Sequence, residues 1–217
     1  VADDASLAVN LFTLEFWAYH NELDGENALV TKGIVDQQNF GIITLADGRV
    51  SANFATTDGD GVATFSAVGT AKANTWQHYT LTNDGKFQSL YVDGKLVDRI
   101  DHIDKVVEAN DQPLFFGAEL NTNGLQRFFN GKIDEVRIFD YSFTDDQVLS
   151  SMHAEMKGTE EGLISYWKFD STDASTVFDK TGNGNGGVII GSILAGEERV
   201  SPQTPQDRKS TRLNSSH

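Results

Sequence analysis

Cysteine is absent from all 217 residues, which excludes disulfide staples, thiol nucleophiles and cysteine metal sites. Proline is nearly absent as well, at three residues, so little in the chain interrupts an extended strand. Basic residues are scarce: 17 Lys and Arg against 32 Asp and Glu give a net charge of −15. That balance argues against binding nucleic-acid phosphates and against an anionic membrane surface. It fits a solvated acidic exterior, a salt-rich or extracellular setting, or a cation-binding surface. No apolar run reaches the ~18 residues of a membrane span. No signal peptide is visible, and the chain opens on Val1 rather than Met, the mark of a processed or trimmed product.

What is present is apolar and aromatic. A hydrophobic fraction of 39% with 14 Phe supports the core of one large β domain or two small ones. The most strongly punctuated stretch is Phe128–Met156, FFNGKIDEVRIFDYSFTDDQVLSSMHAEM. Asn130-Gly131 supplies residues for a tight turn with positive φ. Lys132–Asp140 then reads as strand, with Ile133, Glu135, Arg137 and Phe139 on one face and Asp134, Val136, Ile138 and Asp140 on the other. Thr144 with Gln147 predicts a capping box, Phe143 with Val148 a hydrophobic staple, and Asp145 and Asp146 suit the positive end of the helix dipole. Val148, Leu149, Met152 and Met156 make an apolar stripe, so a helix is expected over 144–157, ended by Gly158.

Elsewhere the pattern is of short strands. Leu11–His20 alternates, with Phe12, Leu14, Phe16 and Ala18 on one face. Ala28–Lys32, Phe40–Leu45, Arg49–Ala55, Val62–Val68, Trp76–Thr82, Phe87–Val92, Lys95–Ile100, Leu114–Gly117 and Leu163–Asp170 follow. Asp93-Gly94 is the clearest hairpin signal. Glu119–Gly124 reads as a polar loop and Val188–Leu194 as a final apolar run. Such a chain predicts an all-β, two-sheet antiparallel sandwich. One domain is expected over 1–200, with 163–194 either closing the sandwich or opening a next module. Residues 201–217 read as an unstructured tail, and Asp207–His217 as translated sequencing adapter.

The segments FTLEFWAYH (12–20), WQHYTLTNDGKFQSLYVDGKLV (76–97), LFFGAEL with FNGKIDEVRIFDYSFTDDQV (114–148), and GLISYWKFD with DKTGNGNGG resemble the laminin-G-like, concanavalin A-like lectin/glucanase superfamily. Within it, the bacterial modules related to pentraxins are the nearest in pattern. The resemblance spans roughly residues 11–194. It implies a concanavalin A-like jelly roll of two packed sheets, one concave, with loops at its rim, and it implies nothing specific about function.

Glucanases of that superfamily use a strand motif Glu-x-Asp-x-x-Glu to set two carboxylates on one face. The nearest string here is Glu135-Val136-Arg137-Ile138-Phe139-Asp140, where Arg stands in place of the middle Asp and Asp140 lies on the opposite face. His20, His78, His102 and His153 are scattered, with no H-E-x-x-H spacing, and no G-x-S-x-G occurs. The chain therefore reads as non-catalytic. Calcium takes oxygen ligands gathered from loops, and the pentraxin likeness implies a rim site. Glu119 and Asn121 match one of its loops, with Leu120 in place of an amide ligand, and Asp36, Gln37 and Asn39 lie in the second. Sugar stacking needs exposed aromatics. Trp17, Tyr19, Trp76, Tyr91 and Trp167 lie within strands, which leaves Phe40, Phe128 and Phe129 nearer the turns as ligand candidates. The expected function is a non-catalytic extracellular or cell-surface module that binds glycan or a surface protein, with calcium as its cofactor. A structural, self-associating module of a microbial surface protein is the alternative reading, and a divergent polysaccharide-cleaving enzyme the third.

Overall fold

A computed structural model describes residues 1–170 and 175–190. A 3-10 turn at Ala5–Leu7 leads into β1 (Phe12–His20), β2 (Asn27–Ile34), β3 (Gln37–Thr44), β4 (Val50–Ala55) and β5 (Gly61–Phe65). Then come β6 (Trp76–Asn83), β7 (Phe87–Val92), β8 (Lys95–Asp101), β9 (Leu114–Phe116), β10 (Glu119–Asn121), β11 (Gly124–Gln126) and β12 (Gly131–Phe139). Helix α1 (Asp145–Ser151), β13 (Leu163–Trp167), β14 (Thr176–Val177) and β15 (Gly187–Val188) complete the described chain. Two sheets form the sandwich. Sheet A runs β13-β12-β1-β6-β7-β8, and sheet B runs β11-β10-β2-β3-β4-β5 with β9 also on β2. This is the expected concanavalin A-like jelly roll. The final run after residue 190 and the tail lie outside the described residues.

Period-2 alternation places the core. Phe12, Leu14, Phe16 and Ala18 of β1 are fully buried and meet Val30, Phe40, Ile42 and Val50 of sheet B, so the inward face excludes water along its whole length. Phe40 therefore does not face a ligand: it is 0% exposed and packs 5.5 Å from Phe12. The reason lies in the turn before it. Asp36 takes a left-handed φ of 67°, which closes the β2–β3 hairpin without glycine or proline. Strand β3 thus starts at Gln37, and Phe40 falls deep inside it. The expected loop at 119–124 is likewise a small hairpin, with Leu120 opposite Leu125 and Asn121 opposite Gly124.

Two further expectations around β12 are corrected. Asn130-Gly131 is not a positive-φ turn. Gly131 begins β12 opposite His20, and a Cβ there would sit 2.2 Å from the Tyr19 carbonyl, so glycine serves close approach. Simple alternation also fails, because Glu135 adopts φ 54° and the β1–β12 register slips between Glu15 and Trp17. That bulge resets the parity: Ile133 packs on the same core as Val136 and Ile138, while Arg137 turns to the outer face. Asp93-Gly94, with φ of 52° and 72°, is the two-residue hairpin its sequence predicts.

Helix α1 covers the outer face of sheet A. The capping box is present, with Thr144 N–H donating to Gln147 Oε1 at 2.9 Å and Gln147 N–H to Thr144 Oγ1 at 3.3 Å. Phe143 and Val148 join Tyr91, Phe139, Leu163 and Tyr166 in a second apolar cluster between helix and sheet. The helix ends at Ser151, short of the expected 157. The Arg137 guanidinium takes the Ser151 and Ala154 carbonyls, acceptors that a longer helix would use for itself. Leu149 is 56% exposed and leaves the predicted stripe.

Candidate functional site

On the outer face of sheet B, cross-strand pairing lines up Thr31, Gly41, Asn53 and Ala63, and beside them Ile43, Ser51 and Phe65. These are mostly small side chains, and over the bare Gly41 backbone lie the amides of Gln38 and Asn53. A polar ladder then crosses the face. Asn53 Nδ2 donates to Gln38 Oε1 at 2.6 Å, and Gln38 Nε2 donates to Glu119 Oε1 at 2.5 Å. The other Glu119 oxygen accepts from Gln126 Nε2 at 3.1 Å and Arg127 Nη1 at 2.5 Å. Arg127 Nε reaches Glu26 at 2.6 Å, and Asn121 Nδ2 donates to Gln126. Burial opposes the charge on Arg127, yet Glu119 and then Glu26 hold its pKa above the usual arginine range. Phe128, next in the chain, is 65% exposed.

The predicted residues divide accordingly. Glu119 and Asn121 join the ladder. Asp36 and Gln37 are exposed at the β2–β3 turn. Asn39 is buried on a different task, accepting from Val9 N–H at 3.2 Å and donating to the Val9 and Glu108 carbonyls. Phe129 is half-buried, with His20 edge-on at 4.9 Å. The five proposed calcium ligands do not converge, and both Glu119 oxygens already accept from amides and a guanidinium. Among the described residues no group of three His, Asp or Glu is placed to hold a metal ion. As placed, these residues do not fit calcium. Gln38, Asn53, Gln126 and Arg127 escaped the sequence reading because their pattern is cross-strand. The one available signal was Gln126-Arg127, a donor pair shortly after Glu119.

Two other places on the molecule are polar. A cleft of about 620 Å³ beside α1 is lined by Thr82, Ser89, Tyr91, Arg99 and Asp145 among others. There Arg99 is held by Ser89, Tyr91 and Asp145 at 2.7–2.9 Å. Beneath α1, Arg137 binds Glu15 at 3.0 Å and Glu135 at 2.7 Å. Burial pushes the Glu15 carboxyl up, while burial, then Arg137 and His153, drive His78 well below its ordinary value. A guanidinium stands between the two carboxylates, under a helix. That arrangement is a clamp, without the open space between acid and nucleophile that glycoside cleavage requires.

The model of the concanavalin A-like lectin/glucanases superfamily matches residues 1–149. The chain belongs to this superfamily. No curated protein matches it. Among solved structures, it is similar to a candidate carbohydrate-binding protein of Bacteroides ovatus at 22% identity and TM-score 0.67. That match covers 86% of this chain and 54% of the other, so the chain spans about half of that relative. The CBM40 of Ruminococcus gnavus IT-sialidase, solved with α2,3-sialyllactose, matches at 16% identity and TM-score 0.56 over 70% of this chain and 92% of that one. A heptameric SAP-like pentraxin from Limulus polyphemus matches at 14% identity and TM-score 0.51, over 66% and 70%. At these identities the likeness shows a shared fold alone. No helix among the described residues is long and apolar enough to cross a membrane.

Proposed function

We propose that this chain is a non-catalytic glycan-binding module acting outside the cell or at its surface, and that it takes neutral glycans on the outer face of sheet B. The observation that carries the reading is the ladder from Asn53 through Gln38 to Glu119, Gln126 and Arg127. The half-buried amides of Asn53, Asn121 and Gln126, held in place by buried Gln38 and Glu119, suit sugar hydroxyls, which both donate and accept. Exposed Phe128, the neighbour of Arg127 in the chain, offers an apolar face for stacking. An anionic sugar would meet exposed Glu26 beside an already paired Arg127, within a chain of net charge −15. Relatives named for carbohydrate binding or solved with a glycan support the class of ligand.

Titration calorimetry against a panel of neutral and sialylated oligosaccharides tests this. Phe128→Ala should weaken neutral-glycan binding about 3- to 10-fold, the equivalent of ~0.5–1.5 kcal/mol for a lost aromatic contact. Asn53→Ala should weaken it by a similar factor. Binding of sialylated ligands only, or neutral binding untouched by both changes, would move the site elsewhere.

A further inference from the structure

The rim that the sequence assigns to calcium is filled by a side chain. We infer that Arg127 is the built-in cation of this face, so that the ladder around Glu119 is preformed without a divalent metal. Three observations carry this. Glu119 is 2% exposed, and a carboxylate so deep needs a positive partner. The Arg127 guanidinium supplies one at 2.5 Å and grips Glu26 at 2.6 Å from its other edge, joining the β1–β2 loop, β10 and the end of β11. A guanidinium fork holds two oxyanions in fixed directions, as a bound cation would.

The backbone supplies the third observation. Arg127 sits at φ 50°, a conformation in which glycine is unstrained and a long side chain is not. Were the residue there only to make the turn, glycine would serve better. The left-handed strain at Arg127 is offset by what the guanidinium does. The inference stands apart from the glycan reading, because it concerns how the face is built and its test uses no sugar.

Among the described residues, the charged groups reaching Glu119 are Arg127 and, beyond the guanidinium, Glu26. The test is thermal unfolding of the full chain in chelator, in calcium and in magnesium at pH 7. The wild type should melt at the same temperature in all three. Arg127→Gly should melt roughly 5–10 °C lower at pH 7, as expected for a broken buried ion pair, despite the relieved backbone. Arg127→Met should melt lower by a similar amount, because buried Glu119 is left without its cation. Glu119→Gln added to Arg127→Met should recover part of that loss, since the stranded charge is gone. Where the Met variant fails to fold, Arg127→Lys serves, with a point charge but no fork and an intermediate melting temperature. Three results would overturn the assignment: a wild type stabilised by calcium and dependent on Glu119 for it, an Arg127→Gly chain as stable as wild type, or an Arg127→Met chain that Glu119→Gln does not improve.

Discussion

Replacing Arg137 with Met tests what holds helix α1 to the sheet. The side chain is 3% exposed and makes four polar contacts: Glu15 at 3.0 Å and Ser151 O at 3.1 Å through Nη1, Glu135 at 2.7 Å and Ala154 O at 2.9 Å through Nη2. It also lies 5.2 Å from the Tyr166 ring centre. Methionine fills much of the volume but removes the charge. Glu15, 0% exposed, then keeps only Ser151 Oγ at 2.6 Å and the His78 ring at 3.8 Å, which burial keeps uncharged. Removing one partner of a buried pair costs about 3–5 kcal/mol, because the surviving charge is uncompensated. The two carbonyls at the helix end lose a donor as well, so the upper part of that range is expected. For a domain stable by roughly 5–15 kcal/mol, the variant folds but marginally. Urea denaturation at pH 7 measures it, with an unchanged m-value confirming that the same two states are compared. Glu15→Gln added to Arg137→Met should restore about 2 kcal/mol, since the stranded charge is gone. A single-variant cost under about 1 kcal/mol, or a double variant no better than the single, would show that the clamp is decorative.

Two smaller predictions follow from local geometry. Thr144→Ala breaks the capping box and should lower stability by about 1 kcal/mol; urea melts within ~0.3 kcal/mol of wild type would refute that role. His20, held neutral by burial with its pKa depressed to about 4, gains a proton only in the unfolded chain between pH 6.5 and 4. Stability should therefore fall as pH drops through that window, by up to about 3 kcal/mol for the full 2.5-unit gap. Comparing the pH profiles of wild type and His20→Gln isolates this share, and parallel profiles would contradict it.

The fold was legible in the chain because its signals are local. Asp93-Gly94, the alternation of Phe12 to Ala18 and the Thr144–Gln147 cap each act within a few residues, and each is present. Misreadings arose where one residue altered parity or a long-range partner intervened. Asp36 did glycine's work in the β2–β3 turn and so drew Phe40 into the core. Glu135 bulged and turned Arg137 outward, and Arg137 in turn cut the helix short. The candidate site was the least legible. Glu119 could be picked out as an acid on a rim, but its partners come from β3, from Gln126 on β11 and from Arg127 just beyond it, reached only once the strands are paired. Cross-strand neighbours have no fixed spacing in sequence.

The position of β13 sets where this domain can safely be cut. The superfamily match stops at residue 149, yet β13 pairs along β12, and Trp167 is 0% exposed, 5.1 Å from Phe116, with its indole N–H on the Asn185 carbonyl. A gene trimmed at the end of the match would strip a tryptophan from the middle of the sandwich and leave β12 as a raw sheet margin. Its bare amides would offer a template to any other strand in the test tube. Such a fragment should express as aggregate, and an expression boundary drawn beyond Asn185 is the one that respects the packing.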